Sequence, residues 1–262
     1  MVVAPLAMAG CTHPGRVRSH NEDSLYHDAG QGLAILADGM GGYNAGEVAS
    51  GMAVTLLATQ LAGAPAEAMP AACDRWRREI TAANSAIFKA AEAQPQYAGM
   101  GTTLVGARFL DNQVCVAHLG DSRLYRLRNG TLVPLTRDHS FLQQQIDAGL
   151  IRLEDARLSE QRHFVTRALG IEPSTLPDIK AYEVTVGDLY LLCSDGLNDM
   201  IDDDCIARTL QADPDLQAVA ARLVEEALDA GGQDNVSVIL VRVDGDFGLP
   251  RSWGGRLMAW LK

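Results

Sequence analysis

Apolar positions along the chain fall into strand-length runs and helical stripes, and these arrive in blocks. Leu33-Ala34-Ile35-Leu36-Ala37, Leu189-Tyr190-Leu191-Leu192-Cys193 and Val236-Ser237-Val238-Ile239-Leu240-Val241 are nearly continuous apolar stretches bounded by Asp, Gly or Ser. Four further runs follow one another closely, at 102–110, 113–119, 122–128 and 132–135, joined by Asp111-Asn112, Gly120-Asp121 and Asn129-Gly130. Asn-Gly between apolar runs predicts a hairpin, because both residues tolerate the positive φ that a two-residue turn needs. Two stripes repeat instead at helical spacing: Val48, Met52, Thr55, Leu56 and Thr59 within 44–62, and Trp76, Ile80, Ala83, Ile87 and Ala91 within about 67–94. Both stripes are expected to face a core. The stretch up to Cys11 predicts a first strand, and residues 138–163 are polar and helical in pattern, without a strand. Strands joined by tight turns pair antiparallel, and helices gathered in separate blocks predict an α+β layered domain rather than a βαβ sheet.

No Pro/Gly/Ser-rich linker, repeat or low-complexity tract divides the 262 residues, so one domain is expected over 1–246, followed by a tail at 247–262. The tail sets Trp253, Leu257, Trp260 and Leu261 among Arg251, Arg256 and Lys262. It either packs on the domain or forms a partner-binding or membrane-surface segment. A net charge of −11 argues against nucleic acid or an anionic membrane as the main partner, since both are bound by Lys and Arg neutralising phosphates. The cysteines, Cys11, Cys73, Cys115, Cys193 and Cys205, are odd in number and lack a CxxC pair, which fits reduced thiols in the cytoplasm. Ala9-Gly10-Cys11 has the look of a lipoprotein cleavage box, but no basic stretch or adequate apolar segment precedes it, and no run reaches transmembrane length.

Chemistry enters at the edges of the apolar runs. Asp38-Gly39-Met40-Gly41-Gly42 follows the first, Ser194-Asp195-Gly196 the second, and Gly232-Gln233-Asp234-Asn235 precedes the third; Gly120-Asp121-Ser122-Arg123 ends the 113–119 run, and Glu22-Asp23 follows Arg18. A single Asp-Gly after a strand is an ordinary turn. Several aspartates at strand ends can converge across a sheet, and hard oxygen ligands of this kind suit magnesium or manganese rather than zinc. No Gly-x-Ser-x-Gly elbow surrounds Ser194, no Cys-x5-Arg loop surrounds a cysteine, and no Lys-Ser/Thr follows the glycines after Asp38, which excludes the familiar protein nucleophiles and a P-loop.

Eight blocks in order carry a resemblance to a family: 15–23, the Asp38 motif with Gly46-Glu47, Gly101-Thr102-Thr103, 120–123, 135–140, Thr166-Arg167-Ala168-Leu169-Gly170, 194–197 and 231–237. Together they resemble the metal-dependent serine/threonine phosphatases of the PP2C (PPM) type, in their compact bacterial form. That resemblance implies a four-layer sandwich, two antiparallel β-sheets in the centre flanked by helix pairs, with a flap at about 138–163. It implies hydrolysis of phosphoserine and phosphothreonine monoesters in proteins by a hydroxide bridging two Mn²⁺ or Mg²⁺ ions, opposing a bacterial Ser/Thr kinase. Asp38 would bridge the ions, the Gly39 carbonyl would bind one, Asp195 and Asp234 the other, and Asp121 with Asp195 a third, weaker ion. Glu22 and Asp23 would hold metal-bound waters, and Arg18 would clamp the substrate phosphate, with a structural salt bridge to a site acid as its alternative. Arg16, two residues earlier on an extended segment, is expected to point away. Leu158-Ser159-Glu160-Gln161-Arg162-His163 departs from the family's His-Pro pair, and Met40 stands where several relatives have a histidine that protonates the leaving group. The expected form is a cytoplasmic monomer. A two-metal phosphodiesterase and a pseudophosphatase that only binds are the rival readings.

Overall fold

In the computed structural model, which describes residues 4–42, 45–63, 67–152 and 164–248, the apolar runs predicted from the sequence are strands, the run 102–110 as two that break at Thr103. One antiparallel sheet has the order β1 (Leu6–His13), β11 (Val236–Val243), β10 (Leu189–Cys193), β7 (Arg123–Arg128) and β8 (Thr131–Pro134). The other runs β2 (Asp23–Asp28), β3 (Leu33–Met40), β5 (Leu104–Leu110), β6 (Gln113–Leu119) and β9 (Asp178–Glu183), with β4 (Gly101–Thr102) paired to the end of β3. The Asn129-Gly130 turn joins β7 and β8 as the expected hairpin, with φ of 52° and 77°, and Asp111 (50°) and Asn112 (55°) join β5 and β6 in the same way. The third tight turn, Gly120-Asp121, does not join antiparallel neighbours, because β6 and β7 lie in different sheets and the chain crosses from one to the other there.

The apolar runs are continuous because both faces of the central strands are covered. In β3, Leu33, Ile35 and Ala37 face one helix layer while Ala34 and Leu36 face the opposite sheet, and all five are fully buried. The same alternation sends Leu189, Leu191 and Cys193 of β10 outward to the second helix layer and Tyr190 and Leu192 inward. Between the sheets Phe109 meets Tyr190 edge to face, with centroids 5.1 Å apart. Helices α1 (Ala45–Leu61) and α2 (Met69–Ala93) cover the β3 sheet, and α5 (Asp203–Leu210) with α6 (Leu216–Asp229) covers the other, which completes the four layers.

The α2 stripe faces the core as predicted, with Trp76, Ile80, Ala83 and Ile87 buried. The α1 stripe does not. Its fully covered face is Ala45, Ala49, Ala53, Leu57 and Leu61, whereas Val48, Met52 and Leu56 are half-buried and Thr55 and Thr59 are exposed. Alanines let α1 lie close against β3, and the larger residues beside them pack on the margin of that contact.

Within 138–152 the chain forms one short helix, α3 (Phe141–Asp147), whose N-cap Ser140 accepts a hydrogen bond from Gln143 N at 3.2 Å. The departure at 158–163 and the tail from 249 onward lie outside the described residues. The start of that tail meets the β5–β6 turn, where Phe247 N donates to Asn112 Oδ1 at 2.9 Å. Among the described residues no helix is long and apolar enough to cross a membrane.

Candidate metal centre

Asp38, Asp121, Asp195 and Asp234 arrive at one edge of the sandwich from four strands. Asp38 lies near the end of β3, Asp121 follows β6, Asp195 follows β10 and opens the single turn α4 (Asp195–Asn198), and Asp234 precedes β11. All four line one cavity of about 760 Å³. Glu22 and Asp199 add two more carboxylates, and Arg18 and His20 are the basic side chains on its described wall.

Short polar residues fix these strand ends. Asp38 N donates to Thr103 Oγ1 at 3.0 Å and Asp38 O accepts from Thr102 Oγ1 at 2.8 Å, while Thr103 Oγ1 lies 2.7 Å from Ser122 Oγ. That chain of contacts ties the Asp38 turn to the Asp121 turn. The Asp121 turn is held in its own right, since Arg123 grips Asp138 at 2.7 and 2.9 Å, His139 N donates to Gly120 O at 2.8 Å, and Gly120 N donates to His139 Nδ1 at 3.2 Å. Asn235 fixes the loop that carries Arg18 and Glu22: its Oδ1 accepts from Glu22 N at 2.7 Å and its Nδ2 donates to Pro14 O and His20 O, both at 2.9 Å. Gly196 is required by proximity, because a Cβ there would run into Asn235 O.

Burial and like charge act together on the acids. Asp38 is driven well above the ordinary carboxylate range, first by burial and then by Asp23, Asp195, Asp121 and Asp234. Asp121 is raised by burial and by Asp195 and Asp138. Asp23 pairs with Asp38 across β2 and β3 but lies beneath the cavity and does not line it. Its Oδ2 accepts from Ser194 Oγ at 2.9 Å, its Oδ1 has no hydrogen-bond partner, and burial with the charges of Asp195 and Asp234 pushes it up to about 7. A wall of mutually repelling acids, with only Arg18 and His20 as basic side chains among the described lining residues, fits divalent cations, which supply the missing positive charge.

Arg18 lines the cavity and donates to Asp234 Oδ2 at 2.7 Å, so the phosphate-facing position and the salt-bridge alternative coexist in one geometry. Its side chain is 56% exposed, which limits the pair to at most about 1 kcal/mol. Arg16 does point away, donating to Leu228 O and Asp229 Oδ1 at 2.8 and 2.7 Å. Met40 lines the cavity and has no proton to give. His139 does not line it; its ring is stacked on His118 at 4.5 Å, and burial, His118 and Arg167 lower it to about 4. A neutral His139 therefore serves the Asp121 turn and the entrance to α3, not proton transfer.

His20, Asp199, Met200, Val165 and Gln233 also line the cavity and were not singled out from the sequence. Asp199 carried a signal, since it stands four residues after Asp195 and so on the same side of a helical turn. His20 lies inside the 15–23 block but offers no spacing of its own.

Known proteins share this sequence and fold to a high degree. The family profile described as Protein phosphatase 2C matches residues 12–235. The serine/threonine protein phosphatase PstP of Mycobacterium tuberculosis is 43% identical over 249 residues, which is 94% of this chain and 47% of that protein. The chain thus spans about half the length of that relative. The serine/threonine phosphatase stp of Listeria welshimeri is 39% identical over 234 residues, covering 88% of this chain and 93% of its own length. The crystal structure of the PstP catalytic domain in complex with two manganese ions superposes with a TM-score of 0.84 at 40% identity, covering 92% of this chain and 99% of that one. With the family profile spanning most of the sequence and the fold shared at this level of identity, the chain belongs to the protein phosphatase 2C family of metal-dependent serine/threonine phosphatases.

Proposed function

We propose that the protein hydrolyses phosphoserine and phosphothreonine monoesters of protein substrates and opposes a Ser/Thr kinase in the bacterial cytoplasm, working as a monomer. The observation that supports this reading is the convergence of Asp38, Asp121, Asp195 and Asp234 with Arg18 on a single cavity. Asp38, Asp195, Asp234 and the Gly39 carbonyl would hold two Mn²⁺ or Mg²⁺ ions, and Asp121 with Asp195 a third, weaker one. When bound, such ions supply a nucleophile from water at neutral pH and stabilise charge on the phosphoryl oxygens. The side chains have separate tasks. Thr103 and Ser122 keep the Asp38 and Asp121 turns in register, and Asn235 holds the Glu22 loop over the cavity. Glu22 on the cavity wall orients water around the ions, and Asp23, off that wall, instead steadies Ser194 beside Asp195.

Arg18 binds the substrate phosphate, because a guanidinium offers two parallel donors to two phosphate oxygens and stays charged at any working pH. Its contact with Asp234 is weak enough to be exchanged for a phosphate. Arg18→Ala is expected to raise KM more than it lowers kcat, with a loss on the order of 1.5–3 kcal/mol in kcat/KM. Steady-state kinetics on a phosphopeptide checks this. A variant that unfolds or loses its metal affinity instead would make Arg18 a structural residue.

Monoester specificity is tested by comparing a phosphothreonine peptide with bis-p-nitrophenyl phosphate under the same metal conditions. The peptide should be turned over far faster. Preference for the diester would favour a two-metal phosphodiesterase, and no turnover of either a binding module.

A further inference from the structure

Cys73 and Cys115 lie 42 residues apart in the chain, and their Sγ atoms are 2.6 Å apart. Cys73 sits near the start of α2 and Cys115 in the middle of β6, so the contact joins a helix layer to the sheet beneath it. Both are free thiols at a separation closer than unbonded sulfurs rest. They differ in access: Cys115 is fully buried, while Cys73 is half-buried. Neither lines the cavity that holds the aspartates. We propose that Cys73 and Cys115 are a redox pair, in which Cys73 reacts with a small-molecule disulfide and Cys115 resolves the product into an internal disulfide clamping α2 to β6.

The exchange takes two steps. The Cys73 sulfur, having given up its proton, attacks one sulfur of the small disulfide; that S–S bond breaks, a mixed disulfide forms at Cys73, and the departing thiolate takes up the proton. The Cys115 sulfur then attacks Cys73 Sγ, the mixed bond breaks, and the second departing thiolate takes the Cys115 proton. Two protein thiols are oxidised to one disulfide, and the small disulfide is reduced to two thiols. The polarity of the pair supports this order: the hydrogen bond to Cys115 holds Cys73 below the ordinary thiol range, while the same contact and burial push Cys115 far up. Cys11, Cys193 and Cys205 are all raised, foremost by burial. The closed loop contains most of α2 together with β4 and β5. Cross-linking it removes freedom from the unfolded chain, so the oxidised form resists unfolding while its catalytic cavity is left unaltered.

The test is to incubate the folded, reduced, full chain with oxidised glutathione, alkylate the remaining thiols under denaturing conditions, and map peptides by mass. The expected result is a Cys73–Cys115 cross-linked peptide and alkylation at Cys11, Cys193 and Cys205, with a rise in Tm of about 5–10 °C that dithiothreitol reverses. Turnover of a phosphopeptide should change less than twofold. Cys73→Ser, at a half-buried position that tolerates a hydroxyl, should abolish both the cross-link and the Tm rise; Cys115→Ala should leave glutathione attached at Cys73. Absence of the cross-linked peptide from the oxidised protein, or an equal Tm rise in Cys73→Ser, would overturn the proposal.

Discussion

Asp38→Asn is expected to lower turnover of a phosphopeptide on the order of 1000-fold while leaving the protein folded. That factor corresponds to about 4 kcal/mol of transition-state stabilisation, the scale expected when a metal-generated nucleophile is lost. Asn keeps the size of the side chain and one oxygen, and Asp38 is anchored through its backbone to Thr102 and Thr103, which the substitution does not touch. Stability should move the other way. The Asp38 carboxyl is opposed by Asp23, Asp195, Asp121 and Asp234, so without divalent cations the variant should melt higher than the parent, by about 2–4 °C for each kcal/mol of repulsion removed. Calorimetry in chelator, alongside kinetics in Mn²⁺, reads both effects. A lower Tm with partial activity would mean that Asp38 is a structural carboxylate.

Gly39→Ala should be nearly as damaging, and by way of the backbone. Gly39 is not among the glycines at positive φ, so space alone is at issue. A Cβ at this position would collide with Gly46 O of α1 and lie 2.6 Å from Glu22 O. Both obstacles are backbone atoms, which cannot rotate aside, and the Gly39 N–H already bonds Glu22 O at 3.1 Å. Overpacking of this kind costs about 1–3 kcal/mol or more, and the backbone shift would displace the Asp38 carboxylate together with the Gly39 carbonyl. The expected outcome is a fall in Tm of about 5–10 °C and loss of most activity even at saturating Mn²⁺. An alanine variant with the parent's Tm and rate would show that α1 can retreat without disturbing the site.

Central strands were legible in the sequence because burial on both faces leaves a continuous apolar run, and the hairpins because Asp111-Asn112 and Asn129-Gly130 are residue types that accept positive φ. Edge strands were harder. β9 (Asp178–Glu183) is exposed at Asp178, Lys180, Ala181 and Glu183 and presents no apolar run. The inner face of α1 was misjudged because close helix-to-sheet packing selects alanine, which carries little hydrophobic signal, and the larger residues on its flank gave the stronger period. The site aspartates could be found because each stands at a strand end beside a turn. Their separate environments could not: that Asp23 lies beneath the cavity with an unpartnered oxygen, or that Arg18 leans on Asp234, depends on which strands are neighbours. The approach of Cys73 to Cys115 is likewise a tertiary contact between helix and strand, without a local spacing to announce it.

Turnover of a phosphothreonine peptide by protein stripped of divalent cations, with Mn²⁺ then titrated back, tests the central claim most directly. If Asp38, Asp195, Asp234 and the Gly39 carbonyl hold ions that provide the nucleophile, the stripped protein should show no turnover above background and Mn²⁺ should restore it saturably. Mg²⁺ should restore it too. Full turnover in chelator after exhaustive dialysis would contradict the account.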